Sequence, residues 1–302
     1  MKRKIIELGK GCLVVSLPAK WASANGLRKG DELDVSEQGT SMVLGSQKHE
    51  LHRKTEIEIP RNSLLIKRYL AAIYRSGYDE AKITFIDPGS LKLIQRAVND
   101  ILIGFEIVEQ GKSHCILKSI AGGLEEEFDT LLRRSFLVTK SMAENTLEAI
   151  KKSDFGRMAE TYVLETTNNK LTLFCQRMIV KYRWKESRDS AFLFVLVYQL
   201  EKIADEIKYI CDYIAGNRIR PSDDIISLYE DMISILDLMY SNYYKFSTET
   251  SEEIADQKKA FMMKSEELYQ KVHKKELKIV ATLVHVTQHI FNMLGCKLGM
   301  VV

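Results

Sequence analysis

The chain has 302 residues, 45% hydrophobic and 28% charged, a composition that excludes disorder and a length that one hydrophobic core rarely serves. Net charge is only +3, which singles out no partner until its distribution is read. The five cysteines, Cys12, Cys115, Cys175, Cys211 and Cys296, are scattered without a CxxC pair, against both a disulfide framework and a zinc knuckle, so a cytoplasmic location is expected.

At the start of the chain, Lys2, Arg3 and Lys4 precede an apolar stretch, but Glu7, Lys10 and Pro18 interrupt it, so it does not read as a signal peptide. Lys2–Leu8 and Cys12–Leu17 have strand character, and Gly9-Lys10-Gly11 supplies a hairpin turn. Pro18 at a first helical position opens a short helix through Ala19, Trp21 and Ala24, which stops at Asn25-Gly26. Strands Glu32–Val35 and Ser41–Leu44 follow, joined by Gln38-Gly39-Thr40. So short a segment with so few large apolar side chains cannot bury its own core and calls for a partner subunit.

Charge is concentrated in the same segment. Residues 1–48 hold eight cations, including Lys48, and five anions, while the other 254 residues balance at 36 against 36. The first 29 residues carry seven cations against Glu7 alone, a polarity suited to a phosphate-facing surface.

Glu7-Leu8-Gly9-Lys10-Gly11, Val14-Val15-Ser16-Leu17-Pro18, Lys20-Trp21 and the spacing from Leu27 to Gly30-Asp31 resemble the AbrB and MazE type of swapped-hairpin DNA-binding domain, also called SpoVT-AbrB. The resemblance covers residues 1 to about 46. It implies an intertwined homodimer whose DNA contacts come from Lys2, Arg3, Lys4, Lys10, Lys20, Arg28 and Lys29.

Beyond Leu51 the pattern becomes α+β. Thr55–Ile59 and Lys82–Ile86 alternate as strands, Arg61–Ser76 and a segment capped by Pro88 through Leu91, Ile94 and Val98 have helical spacing, and Phe105–Glu109 with His114–Lys118 form a hairpin. Gly122-Gly123 closes the unit as a linker. Six helices then follow, over Glu125–Lys152, from a cap at Asp154 to about Trp184, over about Glu186–Ala215, behind Ser222 and Asp223, from a capping box of Thr250 and Glu253, and over about Lys274–Leu294. The longest apolar run, Ala191–Leu200, is too short to span a bilayer.

Leu200–Ile207 and Leu283–Ile290 can be superposed at an offset of about 83 residues, which divides the six helices into two three-helix repeats. Residues 124–302 resemble the PhoU family, and the pairing of the two resemblances is similar to archaeal phosphate uptake regulators. The expected architecture is multidomain and mainly α. It comprises a swapped-hairpin β domain (1–48), a small α+β domain (49–121) and a six-helix bundle of two three-helix repeats (122–302).

The PhoU resemblance implies acidic motifs that gather divalent or trivalent metal ions on the bundle. Glu201 and Asp205, four apart on one helix, with Glu165 from a neighbouring helix, are the matching carboxylates. Tyr209 departs from the first motif, and Val284, Gln288 and Asn292 from the second. His285 and His289 also have metal-ligand spacing but bring no third ligand or catalytic Glu, and packing explains them more simply. Tyr182, Trp184, Tyr240, Tyr243, Tyr244 and Phe246 read as core or interface positions, with a Tyr243-Tyr244 edge that could dock a partner helix. No P-loop, GxGxxG, GxSxG or Cys/His nucleophile pair is present.

The expected function is therefore that of a non-enzymatic regulator of phosphate homeostasis, dimeric on a pseudo-palindromic DNA site, with no membrane span. The alternative is an adaptor whose bundle contacts a phosphate transporter or signalling protein while the head only dimerises.

Overall fold

The computed structural model describes residues 2–9, 11–38, 41–45, 52–61, 63–182 and 187–302. Lys10, the Gly39-Thr40 turn, Lys48 and Trp184 therefore lie outside the described residues. The chain divides into two compact units, Met1–Arg53 and Lys54–Val302.

In the first unit, β1 (Ile5–Glu7) pairs antiparallel with β2 (Leu13–Val15), helix α1 follows (Ala19–Ala24), and β3 (Asp34–Gln38) pairs antiparallel with β4 (Ser41–Gly45). Pro18 stands at the N-cap of α1, not at its first helical position as expected, and its carbonyl accepts from Ala22 N–H at 2.9 Å. Arg28 N–H donates to Asp31 Oδ2 at 2.7 Å and Gly30 sits at φ +95°, which explains why Gly and Asp follow Leu27 at this spacing. Among the residues before Lys54 whose side chains are described, none is buried. Ile5 and Ile6 are 68% and 55% exposed. Adjacent strand residues point to opposite faces, so both faces of this hairpin present aliphatic side chains.

The second unit opens with an α+β layer of β5 (Lys54–Glu58), α2 (Ser63–Arg75), β6 (Glu80–Thr84), α3 (Ser90–Ile101), β7 (Phe105–Gln110) and β8 (His114–Ser119). The sheet order is β5-β6-β8-β7, with β5 parallel to β6 and the remaining pairs antiparallel. Its inner face contributes Ala81, Ile83, Phe105, Cys115 and Leu117 to a core closed by Ile66, Leu70 and Ile73 of α2 and Ile94, Val98 and Ile101 of α3. The outer face carries a row in which signs alternate across all four strands, Lys54, Glu80, Lys118 and Glu106. Opposite charges at cross-strand positions suit a solvated face.

Six long helices follow: α4 (Phe128–Lys152), α5 (Thr161–Tyr182), α6 (Ser187–Asn217), α7 (Asp223–Tyr244), α8 (Thr248–Lys271) and α9 (Leu277–Val301). Helices α4, α5 and α6 pack on one another, as do α7, α8 and α9, and the contacts of α6 with α9 and α4 with α7 join the two trios. One continuous core runs through them. α5 also packs against α2 and α3, and its Leu173 belongs to the core of the α+β layer. Enclosed from both sides, α5 is buried at every residue from Leu171 to Ile179. The α+β layer and the helices thus share one compact unit while keeping separate cores.

Two helix starts differ from expectation. Asp154 Oδ1 accepts from Arg157 N–H at 3.0 Å ahead of a short 3-10 turn, Arg157–Glu160, whose N-cap is Gly156 and which precedes α5. The N-cap of α8 is Ser247, whose side chain accepts from Thr250 N–H at 3.0 Å, so Thr250 is the donor and not the cap. α9 is long and apolar enough to cross a membrane by length and composition, but 56% of its apolar window is buried. Packed against α6, α7 and α8, it gives no clear membrane span.

Candidate functional site

Lys2, Arg3, Lys4, Lys20, Arg28 and Lys29 are all exposed, and none of them enters an ion pair among the described residues. Lys2, Arg3 and Lys4 lead into β1, Lys20 lies on α1, and Arg28 and Lys29 occupy the turn fixed by Asp31. Lys10, the remaining expected contact, lies outside the described residues between Gly9 and Gly11, both at positive φ. Leu8 N–H donates to Cys12 O at 2.8 Å and closes the hairpin of β1 and β2. Cations held at loops and strand entries, with no carboxylate partner among the described residues, can neutralise phosphates without first breaking such a bond.

The carboxylate set expected to hold metal is not brought together. Glu165 Oε1 lies 2.6 Å from Lys208 Nζ and accepts from Asn169 Nδ2 at 2.9 Å. Asp205 takes Lys202 Nζ at 2.8 Å, and Glu201 lies 3.5 Å from the same ammonium. Burial is the largest single influence on the Lys202 and Lys208 ammoniums and pulls them down, but the hydrogen bonds to Asp205 and Glu165 together with the nearby negative charges leave both above the ordinary lysine value. Two lysines on α6 therefore occupy the places a cation would take. Among the described residues no group of three or more His, Cys, Asp or Glu is placed to hold a metal ion.

His285 is exposed, whereas His289 is half-buried with Nδ1 2.6 Å from Gln199 Oε1. Burial first, then the charges of His285 and Lys202, push His289 below its ordinary value. Phe136 packs tilted or edge-on against Tyr240, Tyr243 and Tyr244 at centroid distances of 5.1 to 6.0 Å, and Arg133 lies over the Tyr244 ring at 4.7 Å. Tyr243 is half-buried there, so this run is mainly a packed edge of the bundle. All five cysteines are free, four of them buried and Cys12 exposed.

One cluster was not foreshadowed by any sequence motif. Arg177 of α5, almost fully buried, donates through Nη1 to Tyr74 O (2.9 Å) and Tyr78 O (2.7 Å) and through Nη2 to Asp79 Oδ1 (2.7 Å). Its guanidinium lies 4.9 Å from the ring centroids of both Tyr74 and Phe105. Lys181, one turn on, reaches the same Asp79 oxygen at 2.8 Å. Desolvation is the largest influence on Arg177 and lowers its pKa from the ordinary value. The only sequence signal is an arginine inside an otherwise buried stretch of helix.

Compared with protein families, with curated proteins and with solved structures, the chain has no match. Its function must accordingly be sought in its own residues and in the sequence resemblances.

Proposed function

We propose that the chain is a non-enzymatic, DNA-binding transcriptional regulator of phosphate uptake that contacts DNA as a dimer through residues 1–45, with the helical bundle relaying phosphate status. The observation that carries the DNA reading is the set of six exposed cations with no ion pair among the described residues, in a unit where no described side chain is buried. Dimerisation follows from the same unit. Ile5, Ile6, Leu8, Leu13, Val15, Val35 and Met42 are each more than half exposed, and burying an aliphatic side chain of this size is worth about 1.5–3 kcal/mol. An intertwined second copy is the economical way to cover them, and a twofold head reads a pseudo-palindromic site.

The phosphate connection comes from the resemblance of residues 124–302 to the PhoU family and of the whole arrangement to archaeal phosphate uptake regulators. For such a relay to operate, the signal must favour one of two arrangements of the protein over the other. The metal ions of that family form no part of the proposal, because Lys202 and Lys208 hold the matching carboxylates.

The test is genome-wide mapping of bound DNA in phosphate-rich and phosphate-starved cells, followed by salt titration on a bound fragment. Affinity is expected to fall steeply with salt, and replacing Lys2, Arg3 and Lys4 together with Ala should reduce the log–log slope by about 0.9 for each phosphate that is no longer neutralised. Unchanged retardation by the triple variant, or binding indifferent to salt, refutes the DNA reading. Retained binding to a transporter or signalling protein by a variant that never bound DNA favours the adaptor.

A further inference from the structure

β5 lies at the edge of its sheet with only β6 beside it. The ladder between them is regular over its whole length, and Ile59 N–H donates to Thr84 O at 3.0 Å. Backbone groups alternate sides along a strand, so Thr55 and Ile57 face β6, while the N–H and C=O of Lys54, Glu56 and Glu58 face away from the sheet. No fifth strand takes them among the described residues. The opposite edge differs, because the register of β7 slips between Ile107 and Glu109. Such a bulge turns an edge away from pairing. β5 has neither a bulge nor a proline.

We propose that the β5 edges of two copies of this chain pair antiparallel about Glu56 and join their sheets into one. The proposal rests on the reading that the head is dimeric. With Glu56 on the twofold axis, Lys54 stands opposite Glu58 of the second copy on the outer face, and Thr55 stands opposite Ile57 on the inner face. The strand is thus complementary in charge to its own inverted copy. The one like-charged pairing, Glu56 with itself, is moderated by Lys82, whose ammonium lies 2.7 Å from Glu56 Oε1 in each chain. Charged side chains on an edge usually discourage pairing. Here the signs match under twofold symmetry, and the closest same-sign contact is already neutralised within the chain.

An edge of five residues supplies about six backbone hydrogen bonds, too few to associate two chains unaided. Residues 46–53 join β5 to β4, and a chain of that length reaches at most about 28 Å. A dimeric head would therefore hold the two edges at an effective concentration in the millimolar range, enough for a weak contact to form.

The experiment uses the full chain, prepared with ordinary and with 15N nitrogen and refolded together. Treatment with a zero-length carbodiimide is followed by mass spectrometry, with sedimentation run in parallel. Lys54 and Glu80, 2.8 Å apart within one chain, provide the internal control. A mixed-isotope Lys54–Glu58 link is expected, and Glu56→Pro should lower its yield at least tenfold while the head still sediments as a dimer. That proline removes only an outward N–H and spares the ladder to β6. Should Glu56→Pro fail to fold, Glu56→Lys takes its place, setting Lys against Lys on the axis with the same loss expected. A dimer showing the Lys54–Glu80 link but no mixed-isotope link overturns the β5 pairing and leaves the head reading standing. So does a mixed link indifferent to either variant. A chain that stays monomeric overturns both.

Discussion

The two units of this protein hold their apolar residues in opposite ways. In the head, β1 to β4 expose aliphatic side chains, and none of the side chains described there is buried. In the body, six helices and an α+β layer close two cores, and even a charged arginine is enclosed. The body's stability is therefore written within one chain, whereas on the proposed dimeric reading the head's comes from a second copy. An identical substitution rule cannot apply to both: exposure predicts tolerance in the body and predicts nothing in the head.

The sharpest way to break this contrast lies inside the body. Replacing Arg177 with Met removes the guanidinium from the buried Asp79 carboxylate and takes one donor each from the carbonyls of Tyr74 and Tyr78. Removing one partner of a buried pair costs about 3–5 kcal/mol, so chemical denaturation should show a loss of that size. A loss under about 1 kcal/mol, the range of an exposed pair, would mean that the two cores are not tied together at this point. In the head, Leu13→Asp changes a residue that is 68% exposed in the single chain, where substitutions usually stay within about 0.5 kcal/mol. If the head is a dimer the same change should cost about 2 kcal/mol per chain. It should shift the monomer–dimer equilibrium seen by sedimentation, and a neutral result would end the intertwined reading. Smaller again is Ser247→Ala, expected to destabilise the body by about 1 kcal/mol as the cap of α8 disappears. Thr250→Ala should cost less, since Thr250 gives that cap its backbone N–H, which alanine keeps.

That last pair of variants shows where the sequence was legible and where it was not. The order of strands and helices could be read from periodicity and from Gly and Pro positions, because those signals are local. Ser247 and Thr250 both satisfy cap patterns. The choice falls to Ser247 because Asn242, fully buried, accepts from Ser247 N–H and donates to Ser251 Oγ, each at 3.0 Å. β6 was expected at Lys82–Ile86 but forms over Glu80–Thr84, since alternation fits either span and only pairing with β5 and β8 decides. The basic residues of the head were legible because charge needs no partner to be counted. For the acidic trio the Glu201 and Asp205 spacing is a local signal, but the pairing of Lys202 with these two and of Lys208 with Glu165 depends on rotamers and on a second helix, which spacing does not carry. Arg177 was the hardest case, with its partner Asp79 98 residues away.

The smallest expected effect is also the one whose sign can be worked out in advance. Burial, with His285 and Lys202 nearby, places the folded His289 below its ordinary 6.5. Between the folded and unfolded values the unfolded chain binds more protons, so stability rises with pH there. The contribution of the neutral ring is present above about 6.5 and is lost as pH falls through the folded value. Glu206 opposes this trend. Burial raises its carboxyl above the ordinary 4.5, with His285 acting against the rise, so acidification relieves the folded state at that site. A total stability curve therefore mixes two slopes of opposite sign. The difference between the native chain and His289→Gln isolates the first, because Glu206 is present in both. That difference should be flat from about pH 8 to about 7 and should shrink as pH falls below about 6.5. A difference that grows on acidification would show that His289 is charged when folded, and that Gln199 Oε1, 2.6 Å from its Nδ1, is stabilising an imidazolium instead of a neutral ring.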